Sequence, residues 1–221
     1  MLKNMLKNML IKYIKYIMSF NYITVGGDCS PAAALRNLNL RDYVLPFDWV
    51  VSNITSLEKC FETNFEFFHE NLILNNKKTR FIDHYGFQFP HDYPLTDMIE
   101  YENNIGEGVF GEENGKIIKD NWIDYYDIVL AKYKRRIERF KDIMNDTKPI
   151  IVLCRYPTRD VLQLQKLFMK YYNVKNIYFI NSSSEQFEND TIKNIYTEKN
   201  SVWNDVNIWK EGLNDIIKKI N

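Results

Sequence analysis

Pro149-Ile-Ile-Val-Leu-Cys-Arg-Tyr-Pro-Thr158 is the stretch whose reading decides the fold. Ile150 to Cys154 run without a polar break. Such a run reads as a strand covered on both faces, and strands of that kind belong to parallel sheets. Outward from it the pattern alternates. A helix is predicted over 159–172 and a strand over 176–180. Asn181-Ser-Ser-Ser184 stands at the end of that strand. A further strand follows at 192–196, and a closing helix at 206–220. Upstream, Phe20 to Val25 reads as the first strand. Strand–helix alternation of this kind predicts an α/β layered fold with a mostly parallel sheet and helices on both faces. Sites in such sheets sit at the C-terminal ends of the strands. Cys29, Arg155 and Asn181 all fall at such ends.

The first of these ends carries the densest chemistry. Ile23-Thr-Val-Gly-Gly-Asp-Cys-Ser-Pro-Ala-Ala-Ala-Leu35 reads as strand, glycine turn and helix. Gly26 and Gly27 permit positive φ. Asp28 or Ser30 can cap the helix, and Pro31 fits its first turn. Cys29 is thereby placed at a helix N-terminus, where unpaired N–H groups and the helix dipole favour thiolate over thiol. The same N–H groups, from Gly27 to Ser30, can hold an oxyanion. A lone cysteine is more often a packed core residue; the glycine pair and the cap weigh toward a functional one.

Between the first strand and Pro149 the chain is less regular. Helix 30–38 ends at Asn39-Leu-Arg41. In Pro46-Phe-Asp-Trp49 an acid stands between aromatics in a loop, so Asp48 is a candidate for orienting a histidine or capping the next segment. An amphipathic helix is predicted over 56–74, with His69 packed beside its aromatic stripe. One or two short strands follow over 81–91. His91, between Pro90 and Pro94 and beside Asp92, is a better general base than His84. The acidic, glycine-rich stretch 97–119 reads as a mobile loop, and its acids argue against phosphate binding. The longest helix is predicted over 122–144, its Lys132, Lys134, Arg135, Arg136 and Arg139 forming a solvated basic face.

Twenty-nine basic and twenty-nine acidic residues leave no net charge at pH 7, so nothing global points to nucleic acid. Cys29, Cys60 and Cys154 fit neither a disulfide framework nor metal-ligand spacing. With three histidines and no C-x-x-C, no metal and no cofactor are expected. Unpaired cysteines point to a reducing compartment, and a cytoplasmic location is expected, that of the host cell if the chain is viral. Residues 1–18, which repeat Met-Leu-Lys-Asn, form a basic amphipathic extension outside the fold. Its lysines interrupt every apolar run, so it is neither a secretory signal nor an integral membrane segment, though it has the character of a peripheral membrane contact. The chain is expected to comprise this extension, 1–18, and a single α/β domain, 19–221.

An ordered series of motifs resembles a known family. It runs Gly26-Gly-Asp-Cys-Ser-Pro-Ala32 with Ala34-Leu-Arg36, Leu40-Arg41, Pro46-Phe-Asp-Trp49, Phe89-x-His-Asp-Tyr93 and Lys132-Tyr-x-Arg-Arg-Ile-x-Arg-Phe140. The family is uncharacterised, occurs in bacteria and large DNA viruses, and is described as papain-like cysteine peptidases. The resemblance covers roughly residues 20–180. It implies a Cys–His enzyme, with Cys29 and His91 on the family's cysteine and histidine. Papain-like enzymes follow the order Cys, His, Asn, which Cys29, His91 and Asn181 obey. Gly27-Asp-Cys29 also resembles the Gly-Asp-Ser block of SGNH hydrolases with sulfur in place of oxygen. Those enzymes carry a histidine near the C-terminus, whereas no histidine follows His91 here.

Three functional readings remain at this point. The first is a cysteine peptidase or hydrolase, with Cys29 as nucleophile, His91 as base, and Asp48 or Asn181 orienting His91. Asp28, Trp49 and Arg155 are its candidate substrate contacts. The second is a thiol-dependent acyltransferase or esterase acting on glycans, so the expected partner is a peptide or an acylated glycan. The third is a non-catalytic glycan- or protein-binding module in which Cys29 is packing. A buried Cys29 far from His91 favours the third.

Overall fold

The computed structural model describes residues 19–96, 116–197 and 206–220. The basic segment 1–18 and most of the stretch 97–119 lie outside them. Four strands form a wholly parallel sheet: β1 (Asn21–Thr24), β5 (Ile150–Cys154), β6 (Ile177–Ser183) and β7 (Ile192–Tyr196), in that spatial order. The β1–β5 register sets Ile23 against Val152, and the β5–β6 register sets Cys154 against Asn181.

Side-chain alternation along the strands divides the core in two. Ile23, Ile150, Val152, Cys154, Ile177 and Phe179 point into one layer. It is filled by α2 (Ile54–Glu62), α3 (Tyr126–Asn145) and α4 (Thr158–Tyr172). Tyr22, Ile151, Leu153 and Ile180 point into the other, against α1 (Ser30–Asn37) and α5 (Val206–Ile220). Burial on both faces is the reason the run at 150–154 has no polar residue. The layered α/β fold with a parallel sheet and helices on both faces is therefore as expected.

The region between α1 and α3 departs from expectation. The helix predicted over 56–74 stops at Glu62. Asn64, Phe65, His69 and Asn71 all adopt positive φ, so the chain turns repeatedly instead of continuing. Phe65 and Phe68 stay buried because the core claims them by contact rather than by helical phase. The segment ends in β2 (Ile73–Leu74), which joins β3 (Phe81–Ile82) and β4 (Gln88–Phe89) in a small antiparallel sheet. Asp83 ties this sheet to the turns by accepting N–H bonds from His69, Tyr85 and Phe87.

Phe47 sits at the centre of the larger core. Its ring lies 5.4 Å from Phe140, 5.6 Å from Phe65 and from Phe87, and 5.8 Å from Phe68. This anchor fixes the loop that carries Asp48 and Trp49. Helix α3 is preceded by a 3₁₀ turn over Asp120–Tyr125. Its basic face is not wholly solvated, since Lys132 and Arg136 are buried. Among the described residues no helix is long and apolar enough to cross a membrane.

The core holds several groups that burial keeps neutral to higher pH than in the unfolded chain. Burial pushes the Cys60 and Cys154 thiols and the Tyr133 and Tyr156 phenols above their ordinary values of 9.0 and 10.0. Above those values the unfolded chain has released protons that the native state retains, so stability falls as pH rises. The thermal midpoint followed by circular dichroism is expected to drop between about pH 8 and about pH 10.5. A midpoint unchanged over that range would contradict this burial.

Candidate active site

The turn after β1 is built by its glycines and held by a hydroxyl network. Gly26 and Gly27 have φ of +86° and +89°, and a Cβ on either would lie 2.2 Å from Ser52 Oγ or the Arg155 carbonyl oxygen, respectively. The Gly27 N–H donates to Ser52 Oγ at 3.0 Å. Ser52 Oγ and Tyr156 Oη both donate to the Val25 carbonyl, at 2.8 and 2.9 Å. Cys29 is the N-cap residue of α1, but the capping side chain is Asp28, whose Oδ1 accepts from Ser30 N at 2.8 Å and from Ser30 Oγ at 2.6 Å. Asp28 Oδ2 accepts from Arg155 Nη1 at 2.6 Å, tying the ends of β1 and β5 together.

Cys29 Sγ lies 3.3 Å from His91 Nε2. The loop that delivers His91 is pinned by the two residues that follow it. Asp92 is buried and accepts from Lys132 Nζ and, at 2.9 Å, from Tyr133 Oη. Tyr93 is buried, and its hydroxyl meets Nε2 of the buried His69 at 2.8 Å. The Trp49 ring stands edge-on to the His91 ring at 6.0 Å, and Trp49 reaches this position with a φ of +61°. The Arg36 guanidinium covers Trp49 at 4.7 Å.

Electrostatics correct the expectation of a resting thiolate. Burial, then the nearby carboxylates of Asp28 and Asp92, push the Cys29 thiol up to about 12, with only Arg80 pulling it down among the larger influences. Burial outweighs the terminus of a two-turn helix. Asp92 itself is held below the ordinary carboxylate range: burial opposes its charge, but Lys132, His69 and Arg136 overcome it.

Two sequence candidates do not reach His91. Asp48 Oδ1 accepts from Thr24 Oγ1 at 2.5 Å, while its Oδ2 accepts from Arg41 Nη2 and from Leu45 N at 2.7 Å. It fixes its own loop to β1. Asn181 is fully buried. Its Oδ1 accepts from Tyr156 N at 2.9 Å, and its Nδ2 donates to the Tyr156 carbonyl at 2.9 Å and Asn194 Oδ1 at 3.0 Å. It holds the segment after β5. The structure thus brings together Cys29, His91 and Trp49, and separately Asp28 with Arg155. Arg155 also lines a cleft of about 490 Å³ with Tyr156, Ser182, Ser183 and Glu185 at the sheet's C-terminal edge. Among the described residues no three His, Cys, Asp or Glu side chains are grouped to hold a metal.

Sequence reading missed Arg80, Arg36 and the Asp92–Lys132–Tyr133 group. Arg80 follows Lys77-Lys78 in what reads as a solvent turn. Lys132 is one of six basic residues on a helix that looks solvated. Only the alignment of Asp92 beside the histidine hinted at a partner.

Asp92 and Lys132 are both nearly inaccessible, at 3% and 5% side-chain exposure. Removing one partner leaves the other charge buried and uncompensated. Lys132→Met is expected to cost about 3–5 kcal/mol in urea unfolding, and the double variant with Asp92→Asn to cost less than the sum of the singles. A cost for Lys132→Met below about 1 kcal/mol would show that the pair does not anchor the loop.

The chain is 28% identical over 138 residues to "Uncharacterized protein R408" of Acanthamoeba polyphaga mimivirus, covering 60% of each chain. It thus spans about 60% of that relative's length. No solved structure matches it. The profile of one family matches residues 20–183, a span that contains Cys29, Trp49 and His91 and the first three strands of the parallel sheet. The chain belongs to the family described as "Putative papain-like cysteine peptidase (DUF1796)".

Proposed function

We propose that the protein is a cysteine peptidase that works by acyl transfer through Cys29 and His91. The observation that carries this reading is the 3.3 Å approach of Cys29 Sγ to His91 Nε2 at the C-terminal end of a parallel strand. Cys29 is 4% exposed, as a packing cysteine would be, but packing alone does not call for an imidazole nitrogen against its sulfur.

The chemistry starts from a neutral thiol. With the thiol pushed up to about 12, about one molecule in 10⁵ would be ionised at pH 7 without help. His91 Nε2 therefore takes the proton as Sγ attacks the substrate carbonyl, forming the C–S bond and a tetrahedral oxyanion. Gly27 N–H and Ser30 N–H are already bonded to Ser52 and Asp28, so the backbone N–H groups of Asp28 and Cys29 are the donors for that oxyanion. Collapse breaks the C–N bond, and His91 returns its proton to the departing amine. Water, deprotonated by His91, then cleaves the thioester to release the acid and restore the thiol. Trp49 holds the imidazole plane for both transfers. The cleft beside Arg155 gives room for substrate at the sheet edge.

Iodoacetamide labelling of Cys29, located by peptide mass mapping, tests the pair. Labelling is expected near neutral pH, rising through the histidine range rather than the thiol range. In His91→Ala the rate is expected to fall by about 10²-fold or more. An equal rate in His91→Ala, with an ordinary thiol profile, would overturn the reading and favour a binding module.

A further inference from the structure

We propose that the cavity between α1 and the 41–49 loop is a substrate subsite that takes a carboxylate, making this a peptidase for peptides with an acidic group a few residues from the scissile bond. This rests on the Cys29–His91 reading above. The cavity encloses about 210 Å³ and is lined by Ala32 and Arg36 of α1 and by Arg41, Tyr43, Asp48 and Trp49, with Asp42 beside them.

The geometry connects it to the nucleophile. Cys29, Ala32 and Arg36 lie at spacings of three and seven residues, hence along one face of α1. Only a methyl group separates the thiol from the arginine along that face. Seven residues of helix rise roughly 10 Å, the reach of about three extended residues. Trp49 forms the shared wall, its ring edge-on to His91 and covered by the Arg36 guanidinium.

The chemistry specifies the ligand. Arg41 is 6% exposed and gives Nη2 to Asp48, but its buried Nη1 has no hydrogen-bond acceptor. A buried guanidinium N–H without an acceptor is unfavourable until one arrives. Asp48 takes only Nη2 of Arg41, its oxygens also receiving Thr24 and Leu45, and does not accept from Nη1. Asp42 is exposed at the rim, where it also borders a second cavity lined by Lys132, Arg135, Arg136 and Arg139. The cavity itself holds two arginines and two aspartates, with Asp48 already paired to Arg41, and the surplus of positive charge along this edge comes from the neighbouring cavity. A carboxylate is the group that satisfies Nη1 of Arg41 and the charge of Arg36 together. It can come from an acidic side chain or from a peptide C-terminus.

The test is selection of peptides by the Cys29→Ala protein, which binds without turnover. Two random hexapeptide libraries are used, one with amidated and one with free C-termini. Enrichment of Asp or Glu at one fixed position in the amidated library identifies a side-chain carboxylate. Enrichment only in the free-acid library identifies the terminus. For the selected peptides, Arg36→Gln and Arg41→Lys, each introduced into the Cys29→Ala protein, are expected to weaken binding by about tenfold or more. Arg41→Lys keeps a cation beside Asp48, and an unchanged thermal midpoint shows that the fold survives. Selected peptides without a carboxylate, no selection from either library, or equal binding by Arg36→Gln would each overturn the subsite. His91-dependent alkylation of wild-type Cys29 reads the chemistry separately. If it persists while selection fails, the subsite alone is wrong; if it is absent, the peptidase reading falls first.

Discussion

The buried contact of Asp92 with Lys132 and Tyr133 is the constraint on which the site depends. The parallel sheet and α1 place Cys29, but nothing in that layer supplies a base. His91 comes from a separate small sheet, whose strands are only two residues long. So short a sheet does not hold a loop rigidly by its ladder bonds alone. The ion pair does so by fixing the residue after His91 onto the longest helix, and Tyr93, one position further on, is held by His69. Desolvating two charges is costly, and their mutual attraction repays it only in good geometry. What the arrangement secures is register: the imidazole has one place to be.

The same burial that gives precision removes the resting thiolate. The helix end and Arg80 act in favour of ionisation, yet enclosure and three nearby carboxylates, Asp28, Asp92 and Asp48, act against it more strongly. Asp28 has opposite effects in one residue, completing the cap of α1 and fixing Arg155 while raising the thiol. On the proposed reading His91 is the proton acceptor in the attacking step, and proton transfer and C–S bond formation occur together.

The sheet was legible because its rule is local and strong. An unbroken apolar run has few alternatives to a doubly covered strand, and Gly26-Gly27 before Asp28 announces a turn that no other residues could form. Cys29 and His91 were legible as candidates from their local settings, the one at a helix mouth and the other between prolines. Their meeting, sixty-two positions apart, was not. The stretch 56–74 misled because Phe61, Phe65 and Phe68 keep helical spacing while the backbone turns away at Asn64 and Phe65. Asp48 and Asn181 are polar residues in suggestive places, and their hydrogen bonds go to their own surroundings, as buried polar groups require, rather than to His91. Lys132 and Arg80 were hidden by the opposite error, since lysine and arginine are read as solvent-facing unless a partner is known.

The measurement that bears most directly on the Cys29–His91 account is the covalent intermediate. The protein is mixed with p-nitrophenyl acetate, quenched in acid and weighed intact, with the modified residue mapped by peptide digestion. The account predicts a burst of nitrophenolate and a single acetyl group on Cys29, absent in Cys29→Ala and formed about 10²-fold or more slowly in His91→Ala. Acetylation confined to lysines, or a burst that survives in Cys29→Ala, would contradict it.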